Sequence, residues 1–397
     1  MRTAIIGGGA AGFFLAVNLK EMCPQMQVRI CERSQHVLQK VAVSGGGRCN
    51  CTNSFEDVTD LSQVYPRGHR LLKRLFKSFG PRDAYEWFEH HGVPLTTQAD
   101  HCVFPAAQDS QAIIQCFLSH ARRLGVEVQT GRRITSLDDV ADADYIVVTT
   151  GGSPRIEGLQ WLANAGHAIV PPVPSLFTFN IPDNDLRDLM GTVVEHATAL
   201  LPGTKLRAEG PLLVTHWGMS GPAILRLSSY AARLLAEHDY RMPLSINWLS
   251  MNDTEISALL TTLAHQNPQK SLVNVHPQQL PRRLWEYILQ KTFASSAASL
   301  QKRWCDLSDK EMRRLVNTLA NDNYRIDGRG QFKEEFVTCG GVALGSVNSN
   351  TLESRHRPGL FFAGEVLDID GVTGGFNFQA AWTTAYTVAQ HIASEHV

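Results

Sequence analysis

The tightest constraint on this chain is the run TAIIGGGAAGFFLAVNLKEM at residues 3–22. A short apolar stretch ends in glycines and a segment of helical composition follows, so the run predicts a strand, a sharp turn and a helix. VRICE at 28–32 is again strand-like and completes a strand–helix–strand unit. Within the turn, Gly7, Gly9 and Gly12 satisfy G-x-G-x-x-G. Gly7 allows the tight turn, Gly9 lets the backbone approach a pyrophosphate, and Gly12 permits close packing of helix on strand. The helix N-terminus then faces the negative charge. Glu32 falls 20 residues after Gly12, where a carboxylate accepts hydrogen bonds from both ribose hydroxyls. Its charge disfavours a 2′-phosphate, which favours FAD or NAD over NADP. The competing reading is a structural glycine turn followed by a solvated glutamate.

Further along, residues 68–92 read as helices broken at Gly80-Pro81, and 110–125 as another helix before the strand-like VEVQ and YIVVTTGG. Such alternation predicts a parallel sheet covered on both faces. At IVPPVPSLFTF, Pro171, Pro172 and Pro174 are expected to stop any regular element, and a domain boundary is placed there. Short apolar runs with turn residues follow, then a polar helical stretch. Glycine-punctuated strand and helix return in the tail. The expected layout is one discontinuous domain, 1–172 and 326–397, interrupted by a β-rich subdomain at 173–252 and a helical one at 253–325.

Composition excludes some partners. Lys and Arg number 37 against 38 acidic residues, giving a net charge of −1, so no overall field draws a polynucleotide or an anionic membrane. No apolar run is long enough to span a bilayer. The glycine turn at Gly7 interrupts what a secretory signal requires. Eight cysteines without framework spacing are expected as reduced thiols in the cytoplasm.

The tail narrows the cofactor to FAD. TTGG, Thr149 to Gly152, after the strand YIVV, can approach the adenosine end with small side chains at Thr149, Thr150, Gly151 and Gly152. Gly364-Glu365 places a carboxylate where a ribityl hydroxyl would lie, and Gly374 and Gly375 open a final helix. A helix N-terminus aimed at flavin N1 and the C2 carbonyl stabilises the charge that builds on reduction. Near the front, KVAVSGGGRCNCTN (40–53) is read as a flavin-side loop.

IIGGGAAG, KVAVSGGGRCNCTN, LLVTHWGMSGPAILRLS and GEVLDIDGVTGGFNFQAAW together resemble the BaiN/RdsA-like, YhiN-type FAD flavoproteins. The resemblance implies an α/β FAD-binding Rossmann-like domain of glutathione-reductase type, discontinuous, carrying a β-barrel-like and a helical insertion. It implies FAD contacts at Gly9, Ala10, Ala11, Glu32, Lys40, Gly46, Gly47, Arg48, Cys49, Asn50, Val128, Gly151, Gly364, Glu365, Gly375, Phe376 and Asn377. Arg33 and Ser44 complete the candidate cofactor set. Two positions depart from the family pattern: Cys102 stands where relatives often carry arginine, and Ala385 where a glycine is expected.

A flavin carries the redox chemistry itself, so no catalytic dyad is required and none declares itself; Arg48 and Cys49 are the catalytic candidates. Arg48 either stabilises reduced flavin, binds a substrate carbonyl, or anchors the loop. Cys49 and Cys51 are too closely spaced for an unstrained redox disulfide. No metal site is expected, with His90, His91 and His101 candidates by residue type alone. His216 is a proton donor or a structural histidine; Arg282 and Arg283 receive a phosphate or start a helix. The leading expectation is hydride transfer through flavin N5 between NADH or NADPH, docking transiently, and a small or steroid-like carbonyl or enone. An amine or alcohol oxidase using O2 and a flavin-binding regulatory protein are the alternatives.

Overall fold

The computed structural model describes residues 1–293, 301–330 and 337–396. Contacts divide the chain into two units, Met1–Ser175 with Phe332–Val397, and Leu176–Gln331.

The first unit is built on five strands: β1 Arg2–Ile6, β2 Gln27–Cys31, β3 Glu127–Gln129, β4 Tyr145–Val148 and β5 Leu360–Phe362. All neighbours pair in parallel, in the order β5-β4-β1-β2-β3. The chain order therefore reverses between β1 and β4, which is where open α/β sheets hold their ligands. Helix α1, Ala10–Met22, leaves β1 through the glycine turn. Its residues Phe13 to Val17 and Leu19 are wholly buried, because it is covered by sheet on one side and by helices on the others. Phe14 sits among Phe79, Trp87, Phe117 and Trp382 at ring separations of 4.6–6.4 Å. Each such ring contributes on the order of 3 kcal/mol through burial. Asn18, the polar member of the buried set of α1, accepts from Trp87 Nε1 at 3.1 Å and donates to Phe14 O at 2.7 Å.

Gly80-Pro81 does break the helical stretch, with helices at His69–Leu75 and Pro81–His90. Gly80 is the N-cap, Pro81 opens the second helix, and the Asp83 carboxylate accepts from Gly80 N at 2.7 Å. The proline segment needs correcting. Ile169–Ser175 is a strand, paired antiparallel with Val337–Val342. The pair stands alone as a two-stranded sheet, so each strand is an edge and proline's missing N–H costs no central ladder bond.

The second unit carries a six-stranded antiparallel sheet, ordered Asp322–Asp327, Arg241–Asn247, Val193–Leu200, Arg207–Thr215, Gly218–Ser220 and Phe179–Asn180. Its end strands approach each other: Asn180 N donates to Gly328 O at 3.0 Å and Gly330 N to Thr178 O at 2.9 Å. The sheet thus closes toward a barrel, which removes the exposed edges. Strand Asp322–Asp327 follows helices Asp253–Gln266, Arg282–Phe293 and Asp309–Ala320 and pairs with Arg241–Asn247. A boundary at 325/326 consequently falls inside a strand, and helices and sheet of this segment form one packing unit.

Gly12→Ala places its new methyl against the Gly7 carbonyl and Thr149 Oγ1, and is expected to destabilise the fold by about 3 kcal/mol. Gly345→Ala, which meets nothing within 4 Å, is expected to change it by less than about 0.5 kcal/mol. Denaturant titration of both variants checks the contrast.

Candidate functional site

The β1–α1 turn is held from two sides. Gly7 N donates to Cys31 O at 2.9 Å, and Thr149 Oγ1 donates to Gly7 O at 2.9 Å. Gly7 takes φ +118°, and a Cβ there would overlap the Thr149 carbonyl. Gly9 differs: a Cβ built on it meets nothing within 4 Å. It is the N-cap of α1, with no side-chain cap and no acidic residue in the first turn. Open space therefore stands before uncapped helix N–H groups, a cradle that fits a pyrophosphate.

Glu32 lies just beyond β2 with its carboxylate fixed by Gly8 N and Ser34 N, each at 2.8 Å. Its remaining lone pairs suit ribose hydroxyls. Val128 on β3 pairs with Ile30 and is 37% exposed; Arg33, next to Glu32 in sequence, is exposed. Across the switch point, Thr150 is exposed and Gly151 takes φ +71°. A Cβ on Gly152 would overlap Thr338 Oγ1 and come within 2.8 Å of Glu365 Oε1. Gly364 donates to Thr384 Oγ1 at 2.9 Å, and a Cβ on it would lie 3.0 Å from that of Ala11.

KVAVSGGGRCNCTN is more than a loop. Helix α2, Gln39–Gly47, is regular until Ser44, after which Gly45 and Gly46 turn left-handed. Lys40 on its first turn donates to Glu365 Oε2 at 2.6 Å, while Thr338 N donates to Glu365 Oε1 at 2.8 Å. Burial pushes the Glu365 carboxyl up, but the Lys40 charge and hydrogen bond with the Thr338 and Gly152 amides outweigh it and hold it below the usual carboxylate range. The predicted ribityl acceptor is thus ionised at neutral pH and already engaged. Arg48 stacks its guanidinium 4.3 Å from the Phe104 ring centre, and donates to Gly45 O and Gln108 Oε1; the geometry favours the loop-anchoring role.

Cys49 is corrected as a catalytic candidate. Both Cys49 and Cys51 are free thiols with no exposed surface. Burial pushes the Cys49 thiol up to about 12, and the Cys51 thiol well above its ordinary value. Burial therefore favours the protonated thiol at both positions.

The flavin-side glycines meet this segment. Gly375 is the N-cap of α3, Phe376–Ser394, at φ +87° and again without a side-chain cap. A Cβ on it would overlap Thr52 O. Asn50 accepts from Gly375 N at 3.2 Å and donates to Thr52 O at 2.9 Å, and Asn53 Nδ2 donates to Gly374 O at 3.0 Å. Asn377 spends its amide on Gly371, accepting from N at 2.8 Å and donating to O at 2.9 Å. Phe376 packs edge-on against Phe55 and Tyr65. Two uncapped helix N-termini, of α1 and α3, are therefore built into one unit with the predicted residues around them.

Thr149, read from the sequence as approaching the adenosine end, instead locks the turn, and sequence reading missed Arg67, which pairs with the buried Asp370. Asp370 lay inside the quoted tail motif, whereas nothing near Arg67 marks it. Other candidates find structural partners. His91 stacks on Trp87 and reaches Glu21, and Arg282 pairs with Glu286. Arg283 donates to Asp188 O. His216 stands exposed at a hairpin turn. No metal-holding cluster occurs among the described residues, and none of their helices is long and apolar enough to cross a membrane.

The parallel sheet, its switch point and the glycine turn define a Rossmann-type dinucleotide-binding protein. The model of the HI0933-like protein Rossmann domain matches residues 1–391, and the chain belongs to that family. It is accordingly an FAD flavoprotein and an oxidoreductase. A 3-dehydro-bile acid delta(4,6)-reductase of Clostridium scindens is 28% identical, over 99% of each chain. A ribosomal RNA dihydrouridine synthase of Escherichia coli is 29% identical, over 98% of this chain and 97% of the other. Among solved structures, 3-ketosteroid delta1-dehydrogenase from Sterolibacterium denitrificans superposes with a TM-score of 0.48 at 10% identity, over 99% of each chain.

Cys305 is the exposed thiol among eight. Iodoacetamide applied to the folded protein at pH 8 is expected to alkylate Cys305 and to spare Cys49 and Cys51, as read by peptide mass spectrometry.

Proposed function

We propose that this protein is a cytoplasmic FAD-dependent reductase of a carbon–carbon double bond conjugated to a carbonyl, with NADH or NADPH as electron donor. The observation that carries the reading is the pair of uncapped helix N-termini, α1 and α3, in a unit of dinucleotide-binding topology. The names of the relatives support the reaction class. A 3-oxo steroid diene and a uracil ring both present a C=C in conjugation with C=O, and both names describe its reduction. FAD, when bound, supplies the two-electron chemistry between nicotinamide and substrate.

The chain's own residues have distinct tasks. The amides at Gly9, Ala10 and Ala11 bind pyrophosphate at the α1 N-terminus, and Glu32 holds the ribose. Residues Gly46 to Asn50 and Gly374 to Asn377 enclose the flavin end. There the α3 N-terminus offers its partial positive charge to an electron-rich ring. Lys40 and Glu365 fix α2 against the end of β5. Phe55, Tyr65 and Phe376 form an apolar wall that excludes water from the same end.

A steroid-like or small enone is the favoured substrate. A uracil base within ribosomal RNA is the second reading, supported by the Escherichia coli relative of that name and by a local surplus of cations. Lys310, Arg313 and Arg314 line one cavity with Asp309 and with Lys291, which pairs with Asp322, a local surplus of positive charge that the net charge of −1 averages away.

Anaerobic NADH or NADPH is expected to bleach the flavin band, and an added enone to restore it while gaining two hydrogens. Bleaching by an amine or alcohol alone, with reoxidation by O2, would establish an oxidase instead. Binding of a ribosomal RNA fragment that weakens steeply with salt would move the substrate to the second reading.

A further inference from the structure

Two segments run against each other beneath the α3 N-terminus. Val372 N donates to Val64 O at 2.8 Å, and Tyr65 Oη donates to Phe376 O at 2.8 Å. The side chain of Ile369 covers Gly68, where a Cβ would come 2.7 Å from its Cγ1. Between these contacts Arg67 and Asp370 form an isolated antiparallel bridge through their backbones and a forked ion pair through their side chains. Arg67 Nε donates to Asp370 Oδ1 at 2.6 Å and its Nη2 to Oδ2, while Ser175 Oγ donates to Oδ2 at 3.0 Å. Asp370 has no exposed side chain and that of Arg67 is 12% exposed.

Desolvation at such depth offsets most of what the pair gains, so a buried ion pair is poor evidence of stabilisation for its own sake. Burial indeed pushes the Asp370 carboxyl up despite the guanidinium beside it. What the pair does supply is direction, because a fork meeting a carboxylate tolerates one orientation. Asp370 lies four residues before Gly374, and the turn between them is tied down by Asn377 at Gly371.

We propose that Arg67 and Asp370 are positioning residues for the flavin, fixing the Asp368–Gly375 turn and so the aim of the α3 N-terminus. The proposal rests on the reading that the flavin end of FAD lies at that N-terminus. Asp370→Asn keeps the shape and removes the charge; Arg67→Lys keeps the charge and removes the fork. The control is Asp322→Asn in the other unit, where an acid that is 1% exposed pairs with Lys291 at 2.5 Å.

All three variants are measured for apo-protein denaturation midpoint, FAD dissociation constant and flavin midpoint potential. Asp370→Asn and Arg67→Lys are each expected to weaken FAD binding about tenfold and to make the bound flavin harder to reduce, whereas Asp322→Asn lowers the denaturation midpoint and leaves both flavin quantities unchanged. Unchanged affinity and potential in the folded Arg67→Lys protein would overturn the proposal, including where Asp370→Asn does not fold. Failure of the unaltered protein to bind FAD would instead remove the reading on which the proposal stands.

Discussion

The contact between the β1–α1 turn and the end of β4 governs the first unit. Gly7, Gly12 and Thr149 meet so closely that a Cβ at either glycine would overlap the backbone of this junction. The Thr149 hydroxyl donates to the Gly7 carbonyl and so joins neighbouring strands above the sheet. From that junction α1 leaves in one direction only, its apolar residues buried on every side. The open space before Gly9 follows from the same geometry, because the turn is full on its inner side and empty on its outer one.

The flavin end is organised by polar contacts over long sequence separations. Lys40–Glu365 and Arg67–Asp370 each join the front of the chain to its tail. Thr52 Oγ1 donates to the buried Gln379 at 2.5 Å, and Trp382 Nε1 donates to Cys51 O at 2.7 Å. Apolar packing alone would allow α3 to slide along the layer. These directional bonds set its register against residues Asn50 to Asn53, and with it the place of its N-terminus.

Much of this was legible because it is local. Strand, glycine turn and helix at 3–22 follow from period and composition, and the Gly80-Pro81 break from proline's place at a helix start. What was not legible depends on pairing across the chain. The prolines of 169–175 looked like a breaker, yet a two-stranded sheet has no interior strand for proline to disrupt. Segments 173–252 and 253–325 looked separate, because nothing local announces that strand Asp322–Asp327 returns to an earlier sheet. Cys49 looked chemically promising beside glycines and an arginine, and only its burial removes it. Arg67 carried no motif because its partner lies 303 residues away.

The central claim is that the pyrophosphate of FAD sits in the open cradle before α1, and Gly9→Asp tests it most directly. Gly9 has an ordinary extended backbone and nothing within 4 Å of a built Cβ, so the substitution leaves packing intact while placing a carboxylate in the cradle. The measurement is the FAD dissociation constant of the refolded apo-protein alongside its denaturation midpoint. The account predicts an unchanged midpoint and affinity lower by at least about a hundredfold. FAD bound as tightly as by the unaltered protein would contradict it.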